Sequence, residues 1–473
     1  MATQETNTST TTTQLSPEAL DKALAPLAAA LGDRLLTPTV DGFAEAAAVF
    51  MGGPERTPAA IARVRTSDEV AAVVAVARDA GLPLAVRGGG HSYARHGLAD
   101  GGLVLDTRLM DGIEIDADGG VAHAQGGVLA GAYITAAAEH GLATGFGDTG
   151  TVGITGLALG GGIGFLSRLH GLTLDNLLGA EVVLADGRVV QADADENPDL
   201  YWALRGGGGN FGVVTRLDLR LRELPVVTGG MLGWAADPGT LAAVLATVAE
   251  APAELSGMVN VMVAPPLPML PAELHGKPLV MALVCFAGPA SEAEPVLARL
   301  RALGTLLDSV REISYPEMFA GPGGPEGGAP ADARTGFLGE GVWAPDEAWA
   351  AAVIEAVSGA SHGPAVVNLR PMGGAIAGTD TSATAFAHRD AAWMVTVQGM
   401  TMSLDGVPAL GEWVASASDA LGVSGRGYVN FMTSTTPQDV RNAYPEATLA
   451  RLREVKRVYD PSNLFASNHN VAP

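Results

Sequence analysis

The feature that most restricts the fold of this chain is a glycine-rich turn that directly follows an apolar run. Residues 82–86 read LPLAV, which is typical of a short buried strand, and residues 87–93 read RGGGHSY. Consecutive glycines allow a tight turn and a close approach of the backbone to a ligand, and successive main-chain N–H groups can surround an anion. The pattern therefore predicts a strand that ends in a ligand-binding turn, with Arg87 entering it and His91 leaving it.

Composition and charge restrict the class of partner. The 473 residues are 48% hydrophobic and carry a formal net charge of −23 at pH 7. Such an acidic chain is repelled by nucleic acids and by anionic membrane surfaces. We therefore expect a globular enzyme with a small-molecule substrate, and neither nucleic acid nor a membrane as partner. The sequence leaves the oligomeric state open.

The single cysteine, Cys285, lies within the apolar residues 279–286. One cysteine can form neither an intramolecular disulfide nor a cysteine-based metal site, and we expect a buried strand residue and no metal. The sequence shows no basic region followed by an apolar stretch, as a secretory signal would have, and no apolar run long enough to span a bilayer. A cytoplasmic location is therefore expected.

Local patterns in the first half of the chain predict alternating strands and helices. Ser16-Pro17 and the capping-box spacing that begins at Thr66 indicate two helix starts, with Gly32 and Gly81 as the corresponding ends. Asp186-Gly187 indicates a hairpin. The strands are expected at residues 61–64, 84–87, 103–106, 113–116, 121–125, 181–184, 188–192 and 211–221, and further helices at residues 129–140, after 197 and at 446–459.

Two more glycine-rich segments follow, at residues 145–164 and 205–212. Glycine-rich loops alone are weak evidence, because tight turns in any α/β fold use them. Neither segment has the dinucleotide fingerprint between a strand and a helix, and neither contains a phosphate-binding loop with its lysine. A nicotinamide-dependent dehydrogenase is therefore disfavoured.

Together these motifs resemble one known superfamily. The chain resembles the FAD-linked oxidases of the vanillyl-alcohol oxidase superfamily, and its C-terminal motifs resemble the berberine bridge branch. The residues that carry the resemblance are 87–93, 151–164, 175–178, 185–187 and 209–215 in the first half, and 428–431 and 455–465 near the C-terminus.

The resemblance implies an α+β fold, with a two-subdomain FAD-binding domain of the vanillyl-alcohol oxidase type and an α/β substrate domain that contains an antiparallel sheet. We expect a disordered tail at residues 1–15, the FAD-binding domain at 16–225, the substrate domain at 226–425, and a segment at 426–473 that returns to the FAD-binding domain. Residues 320–332 are rich in glycine and proline, and form either a mobile lid or a surface insertion.

The resemblance also implies the cofactor and its contacts. In the family, the histidine of the glycine turn bonds to the 8α-carbon of the flavin, and His91 occupies that position. Many members have a second link through a cysteine just before a Thr-Val-Gly motif, but this chain has Thr149-Gly150 there, so FAD should be attached through His91 only. The implied cofactor-binding residues are Arg87, Gly88, Gly89, Gly90, His91, Ser92, Thr149, Thr151, Gly153, Gly156, Gly160, Gly161, Gly162, Gly164, Val214, Asn468 and Asn470.

Oxidation by a flavin needs a base that takes the proton of the substrate O–H or N–H. Tyr428 begins a motif that lies near the flavin in relatives, but several relatives have a tyrosine at its fourth position, where this chain has Phe431. Tyr93 is the second candidate. For both tyrosines, packing against the ring is an equally good interpretation.

The resemblance implies an FAD-dependent oxidoreductase that oxidises an alcohol or amine carbon, or drives an oxidative cyclisation, of a small natural-product-like molecule. The small Val152 favours an oxidase with O2 as electron acceptor. The alternatives are a dehydrogenase with another acceptor and a flavin-binding protein that catalyses a non-redox cyclisation. Arg370 lies where an amine-oxidising member of the branch has acids and a lysine, and is either a surface residue or an anchor for a carboxylate or enolate.

Overall fold

The computed structural model describes residues 15–266, 272–320, 328–361, 363–423 and 425–473. Its N-terminal part consists of the elements β1 (Leu35–Leu36), β2 (Ala60–Arg63), β3 (Leu84–Arg87), β4 (Leu103–Asp106), α1 (Pro17–Leu31), α2 (Phe43–Ala47) and α3 (Ser67–Ala80). The strands form one sheet in the order β1-β2-β4-β3, in which β2, β4 and β3 are parallel. Helices α1 and α3 share a core with this sheet. The glycine-rich turn thus starts at the carboxyl end of a parallel strand, where α/β sheets commonly bind ligands.

The ends of α1 and α3 confirm the sequence signals. The side chain of Ser16 accepts a hydrogen bond from the Ala19 N–H, and the side chain of Thr66 accepts one from the Glu69 N–H. Gly81 ends α3 with φ 64°, a left-handed conformation that glycine adopts without steric cost.

A second, antiparallel sheet in the order β5-β6-β10-β8-β9 follows in the chain. The elements of this part are β5 (Ile113–Asp116), β6 (Val121–Gln125), α4 (Ala130–Ala138), β7 (Leu142–Ala143), α5 (Ile154–Gly160), α6 (Ser167–His170), β8 (Leu177–Val183), β9 (Val189–Asp193), α7 (Pro198–Leu204), β10 (Val213–Arg220) and β11 (Arg222–Glu223). Strand β10 is shorter than the predicted 211–221, because Gly212 still belongs to the glycine-rich turn and approaches the backbone of Val183 closely. Helix α4 is likewise shorter than the predicted 129–140.

A third sheet, the large sheet, has eight strands, and all its pairings are antiparallel. Its elements are β12 (Val227–Ala235), α8 (Pro238–Ala249), β13 (Leu255–Val263), β14 (Pro278–Phe286), α9 (Ala290–Arg301), β15 (Leu307–Asp308), β16 (Arg311–Ile313), β17 (Ala331–Glu340), α10 (Glu347–Ser358), β18 (Ala365–Pro371), α11 (Ala375–Gly378), β19 (Ala391–Met400) and α12 (Val407–Ala420). One face packs on α8, α9, α10 and α12. Because side chains alternate along a strand, Val367 and Leu369 lie in that core, whereas Asn368 and Arg370 lie on the other face.

The described chain also contains short 3-10 helices, at Gly32–Arg34, Thr173–Asn176, Ala272–Leu274, Tyr315–Phe319 and Leu404–Gly406. The predicted α+β fold with an antiparallel sheet in its second half is confirmed. The domain boundaries themselves stay a prediction. Residues 1–14 of the predicted tail and 321–327 of the predicted loop lie outside the described residues.

The C-terminal segment contains α13 (Pro437–Ala443) and α14 (Glu446–Tyr459) and packs against the third glycine-rich segment. The buried Lys456 in α14 donates hydrogen bonds to the carbonyl oxygen of Asn210 at 2.7 Å, to Oδ2 of Asp460 at 2.7 Å and to the carbonyl oxygen of Phe465 at 3.1 Å. Burial lowers the pKa of Lys456, and Asp460 opposes the change. This one ammonium group therefore joins the end of α14, the following turn and the Asn210 loop.

Replacement of Lys456 by methionine is expected to lower the free energy of unfolding by about 3 kcal/mol, because the carboxylate of Asp460 would stay buried without its partner. Both side chains are fully buried. Denaturant unfolding, monitored by fluorescence, measures the change. Lys22→Met on the exposed surface of α1 is the control, and should change the free energy by less than about 0.5 kcal/mol. Equal changes in the two variants would contradict the role of the buried pair.

Candidate active site

One cavity brings the glycine-rich segments together with the C-terminal segment and β18. Its volume is about 360 Å³, within the range of about 300–1,000 Å³ that is typical of ligand and cofactor sites. The main contributions to its wall come from residues 87–93, 147–149, 208–210, 428–431 and 467–469, and from Arg370. Motifs that are far apart along the chain therefore meet at one site.

Backbone packing holds the turn after β3 against the second glycine-rich segment. A Cβ atom at Gly89 would lie 2.8 Å from the carbonyl oxygen of Thr151 and closer still to the backbone of Gly153, so a side chain does not fit there. Gly90 has φ 74°, a backbone angle that residues with a side chain rarely adopt. The two glycines thus allow a turn that brings His91 to the cavity wall.

His91 is held from two sides. Its ring stacks on that of Phe50, with 4.4 Å between the ring centroids and 20° between the planes. Its Nε2 lies 3.0 Å from Oγ1 of Thr151. The contact with Phe50 was not predicted, because a single aromatic residue between two elements carries no signal of the ring it will pack on.

Arg87 is almost fully buried, and its side chain packs against the glycine-rich turn. Its guanidinium donates hydrogen bonds to the main-chain carbonyls of Ala46 and Ala48, and it packs closely on Gly90 and Gly97. The contact of Arg87 with the cofactor stays a prediction, and the carbonyls of Ala46 and Ala48 already engage part of the guanidinium.

Four of the predicted cofactor-binding glycines, Gly160, Gly161, Gly162 and Gly164, are not part of the cavity wall. They allow close packing behind it: a Cβ atom at Gly161 would lie 2.9 Å from the Tyr428 hydroxyl oxygen, and one at Gly160 would overlap the Asn430 side chain. Similarly, a Cβ atom at Gly164 would overlap the carbonyl oxygen of Phe146. Contact of these glycines with the cofactor stays a prediction; in the structure they allow the close packing that positions the residues on the wall.

The other predicted cofactor residues divide between the wall and its surroundings. On the wall are Gly88, Gly89, Gly90, His91, Ser92, Thr149, Gly153, Gly156, Val214 and Asn468, whereas Thr151 and Asn470 are not part of it. The side-chain oxygens of Asn468 and Asn470 are buried without a hydrogen-bond partner in the described protein, as is Nε2 of His96. Buried polar atoms normally have partners. The orphaned atoms of Asn468 and His96, which line the cavity, therefore fit a polar group such as FAD at this site.

Both predicted catalytic tyrosines line the cavity. The hydroxyl oxygen of Tyr428 accepts hydrogen bonds from the Gly162 N–H at 2.9 Å and from Nδ2 of Asn430 at 3.0 Å. Burial raises the pKa of Tyr428, and these two donors oppose the rise. The hydroxyl of Tyr93 lies 3.4 Å from Oε1 of Gln398, and burial raises its pKa to about 12. Because donors on a phenol oxygen stabilise the phenolate, Tyr428 is better equipped to act as a base.

A buried ion pair that the sequence did not predict also lies on the wall. Arg370 is 7% exposed and pairs with Asp148 of the second glycine-rich segment. Nε of Arg370 donates to Oδ1 of Asn368 at 3.0 Å, and Oδ1 of Asp148 accepts from the Thr149 hydroxyl at 2.8 Å. Burial opposes ionisation of Asp148, but the Arg370 guanidinium and the Thr149 hydroxyl keep the pKa of that carboxyl below its usual range. The interpretation of Arg370 as a surface residue is therefore wrong.

Comparison with known proteins agrees with this geometry. Residues 58–193 match the family described as FAD binding domain, and residues 427–472 match the family described as berberine and berberine like. The chain is 34% identical over 462 residues to (R)-6-hydroxynicotine oxidase of Paenarthrobacter nicotinovorans. This alignment covers 93% of this chain and 96% of the relative. The chain belongs to the berberine-like family of FAD-linked oxidases.

Solved structures of this family share the fold over nearly the whole chain. The 6-hydroxy-D-nicotine oxidase of Arthrobacter nicotinovorans matches with a TM-score of 0.83 and 33% identity, covering 93% of this chain and 97% of that one. The glucooligosaccharide oxidase of Acremonium strictum, described with a 6-S-cysteinyl, 8α-N1-histidyl FAD, matches with a TM-score of 0.79 and 25% identity, covering 95% and 99%. This berberine-like protein is therefore an FAD-linked oxidoreductase, as its motifs predicted.

No helix in the described residues is long and apolar enough to cross a membrane. Within the same residues, no group of three or more His, Cys, Asp and Glu side chains is placed to hold a metal ion.

Proposed function

We propose that this berberine-like protein oxidises an alcohol or amine carbon, or drives an oxidative cyclisation, of a small natural-product-like molecule, with FAD attached through His91 alone and O2 as electron acceptor. The main support is the position of His91, whose ring Phe50 and Thr151 hold on the wall of a cavity that fits FAD. The names of the relatives, oxidases of 6-hydroxynicotine and of glucooligosaccharides, support oxidation with O2.

A single link is proposed because the chain has no second nucleophile of the required kind on the cavity wall. Its one cysteine, Cys285, is buried in β14, where burial raises the pKa of the thiol. The resemblance aligns Thr149 with the cysteine of doubly linked relatives, and the hydroxyl of Thr149 donates to Asp148. Such a link requires a thiolate, which a threonine hydroxyl does not supply.

FAD in this cavity supplies the acceptor for a hydride from the oxidised carbon. The chain's own residues then have two tasks. The Tyr428 phenolate takes the proton from the substrate O–H or N–H and becomes a neutral phenol, and Gly162 and Asn430 hold its oxygen in place and stabilise the negative charge that it carries before the transfer. Tyr93 and Phe431, whose stacked rings lie 5.1 Å apart, form an apolar wall that orients the substrate and excludes water.

A reduction and reoxidation experiment tests the choice of acceptor without knowledge of the substrate. The purified yellow protein is reduced anaerobically with dithionite and then mixed with air-saturated buffer in a stopped-flow spectrometer. We expect rapid return of the oxidised flavin spectrum, with one hydrogen peroxide formed per flavin. A protein that stays reduced in air and is reoxidised only by an electron-accepting dye would instead be a dehydrogenase. Candidate substrates, including 6-hydroxynicotine and oligosaccharides, replace dithionite in a second series.

A further inference from the structure

The ion pair between Arg370 and Asp148 has no part in the steps described above. Its two members come from separate parts of the fold, β18 and the loop before α5, and they meet on the cavity wall. Buried ion pairs rarely stabilise a protein more than apolar residues of similar size do. A pair of charges on the wall of an active site, with Arg370 buried and Asp148 only partly exposed, therefore calls for a functional explanation.

Polar neighbours fix the orientation of both charged groups. Asn368 accepts from Nε of Arg370, and its own Nδ2 donates to Oδ1 of Asn260 at 2.7 Å. Thr149 donates to Asp148. A guanidinium has five N–H donors, and the contacts with Asn368 and Asp148 are made by Nε and Nη2 of Arg370. Arg370 therefore keeps donor capacity for a ligand in the cavity.

The charges of the pair cancel, and this determines what kind of ligand group fits beside it. A carboxylate would be attracted by Arg370 but repelled by Asp148. An ammonium group would be attracted by Asp148 but repelled by Arg370. Removing either from water without a net countercharge is costly. The other arginine of the wall, Arg87, belongs to the glycine-rich turn after β3 and donates to the main-chain carbonyls of Ala46 and Ala48.

Aromatic rings complete the surroundings of the pair. The ring centroid of Phe431 lies 5.2 Å from Cζ of Arg370 and 5.1 Å from the ring of Tyr93. We propose that the Arg370–Asp148 pair selects an uncharged aromatic substrate, one whose carbonyl or hydroxyl oxygen accepts a hydrogen bond from Arg370, and that it excludes carboxylates and ammonium ions. This inference rests on the proposed function, because it takes the cavity to hold the substrate beside Tyr428.

Three aromatic probes of similar shape test the selection: benzamide is uncharged, benzoate is an anion and benzylammonium is a cation. Their dissociation constants are measured on the flavin-containing protein at pH 7, by perturbation of the flavin spectrum and by calorimetry. We expect benzamide to bind about tenfold or more tightly than either ion, because it accepts the hydrogen bond from Arg370 without bringing an uncompensated charge beside the pair; tenfold corresponds to about 1.4 kcal/mol.

Single substitutions should then reverse the preference in opposite directions. Asp148→Asn leaves the positive charge of Arg370 unbalanced, and benzoate should gain about tenfold relative to benzamide. Arg370→Met leaves the negative charge of Asp148, and benzylammonium should gain by a similar factor. The double variant Asp148→Asn/Arg370→Met has lost both charges and should favour neither benzoate nor benzylammonium, while benzamide loses the hydrogen bond from Arg370 and its lead over the ions shrinks; this keeps the test decisive if a single variant does not fold.

Asp175→Asn is the matched control. Asp175 pairs with the buried Arg389 at 2.6 Å, but neither residue lines the cavity. This variant loses the same charge from a buried pair and should leave the order of the three probes unchanged.

The inference is overturned if wild-type protein prefers benzoate or benzylammonium, if the order of the probes is the same in all variants, or if Asp175→Asn shifts it as Asp148→Asn does. Probe binding does not depend on turnover. A flavin that reacts with neither substrate nor air would therefore refute the proposed function, whereas an unchanged order of probes on a reactive flavin would refute only this inference.

Discussion

His91→Ala is expected to abolish covalent attachment of FAD. Wild-type protein, denatured and separated on a gel, should retain yellow flavin fluorescence, and the variant should show none. The physical reason is that His91 is the imidazole that packing fixes at the turn: Phe50 stacks on one face and Thr151 contacts Nε2. An alanine at this position has no nitrogen that can bond to a carbon of the flavin.

The other histidines on the wall provide the control. His96 and His469 pack on each other, with 4.8 Å between their ring centroids in an edge-to-face arrangement, and Nε2 of His469 lies 3.0 Å from the carbonyl oxygen of Val429. His96→Ala should therefore keep the covalent flavin. Release of all flavin from denatured wild-type protein would show that no covalent link exists, and a fluorescent His91→Ala band would show that another residue forms it.

Mass spectrometry of the flavin peptide extends the same experiment to the number of links. A proteolytic digest of the wild-type protein should contain one flavin-bearing peptide, and it should include His91. A second peptide joined to the same flavin would contradict the single link. We expect none, because the one cysteine of the chain, Cys285, is buried in β14.

Local signals predicted much of the fold, and they did so where one segment determines its own conformation. The capping spacing at Thr66 and the left-handed Gly81 fix the ends of α3. The predicted helix at 446–459 has the bounds of α14, and Cys285 is buried in a strand as its apolar neighbours indicated. In these cases the pattern and the structure depend on the same few adjacent residues.

The parts of the site that were missed depend on contacts between distant residues. Most arginines are exposed unless they are paired, and the partner of Arg370 lies in a glycine-rich loop that does not mark its acid as special. Glycine at position 161 is required whether a ligand or the Tyr428 ring occupies the space, so the sequence could not separate these roles. The motif resemblance located the cavity, but the three-dimensional packing decided which residues form its wall.

Tyr428→Phe is expected to slow substrate oxidation by about 10²- to 10⁴-fold, the usual contribution of a positioned acid or base. The variant should still bind FAD, since His91 and the glycine-rich turns are unchanged. Loss of the hydroxyl leaves the Gly162 N–H without its acceptor, and Asn430 Nδ2 keeps only the carbonyl oxygen of Leu157, a cost of about 1–3 kcal/mol in stability. The measurement is the rate of flavin bleaching by an oxidisable substrate under anaerobic conditions.

The pH dependence separates a base from a residue that only packs. Burial raises the pKa of Tyr428, so at neutral pH only a small fraction is phenolate. If this phenolate takes the substrate proton, the bleaching rate should rise with pH, by about tenfold per unit while the pH stays below the pKa, and Tyr428→Phe should lose this slope. Tyr93→Phe removes the same hydroxyl from a tyrosine with weaker hydrogen bonding, and should retain the slope with a smaller loss of rate. If Tyr93→Phe abolishes the slope while Tyr428→Phe retains it, Tyr93 is the base, and the donors around Tyr428 serve packing alone.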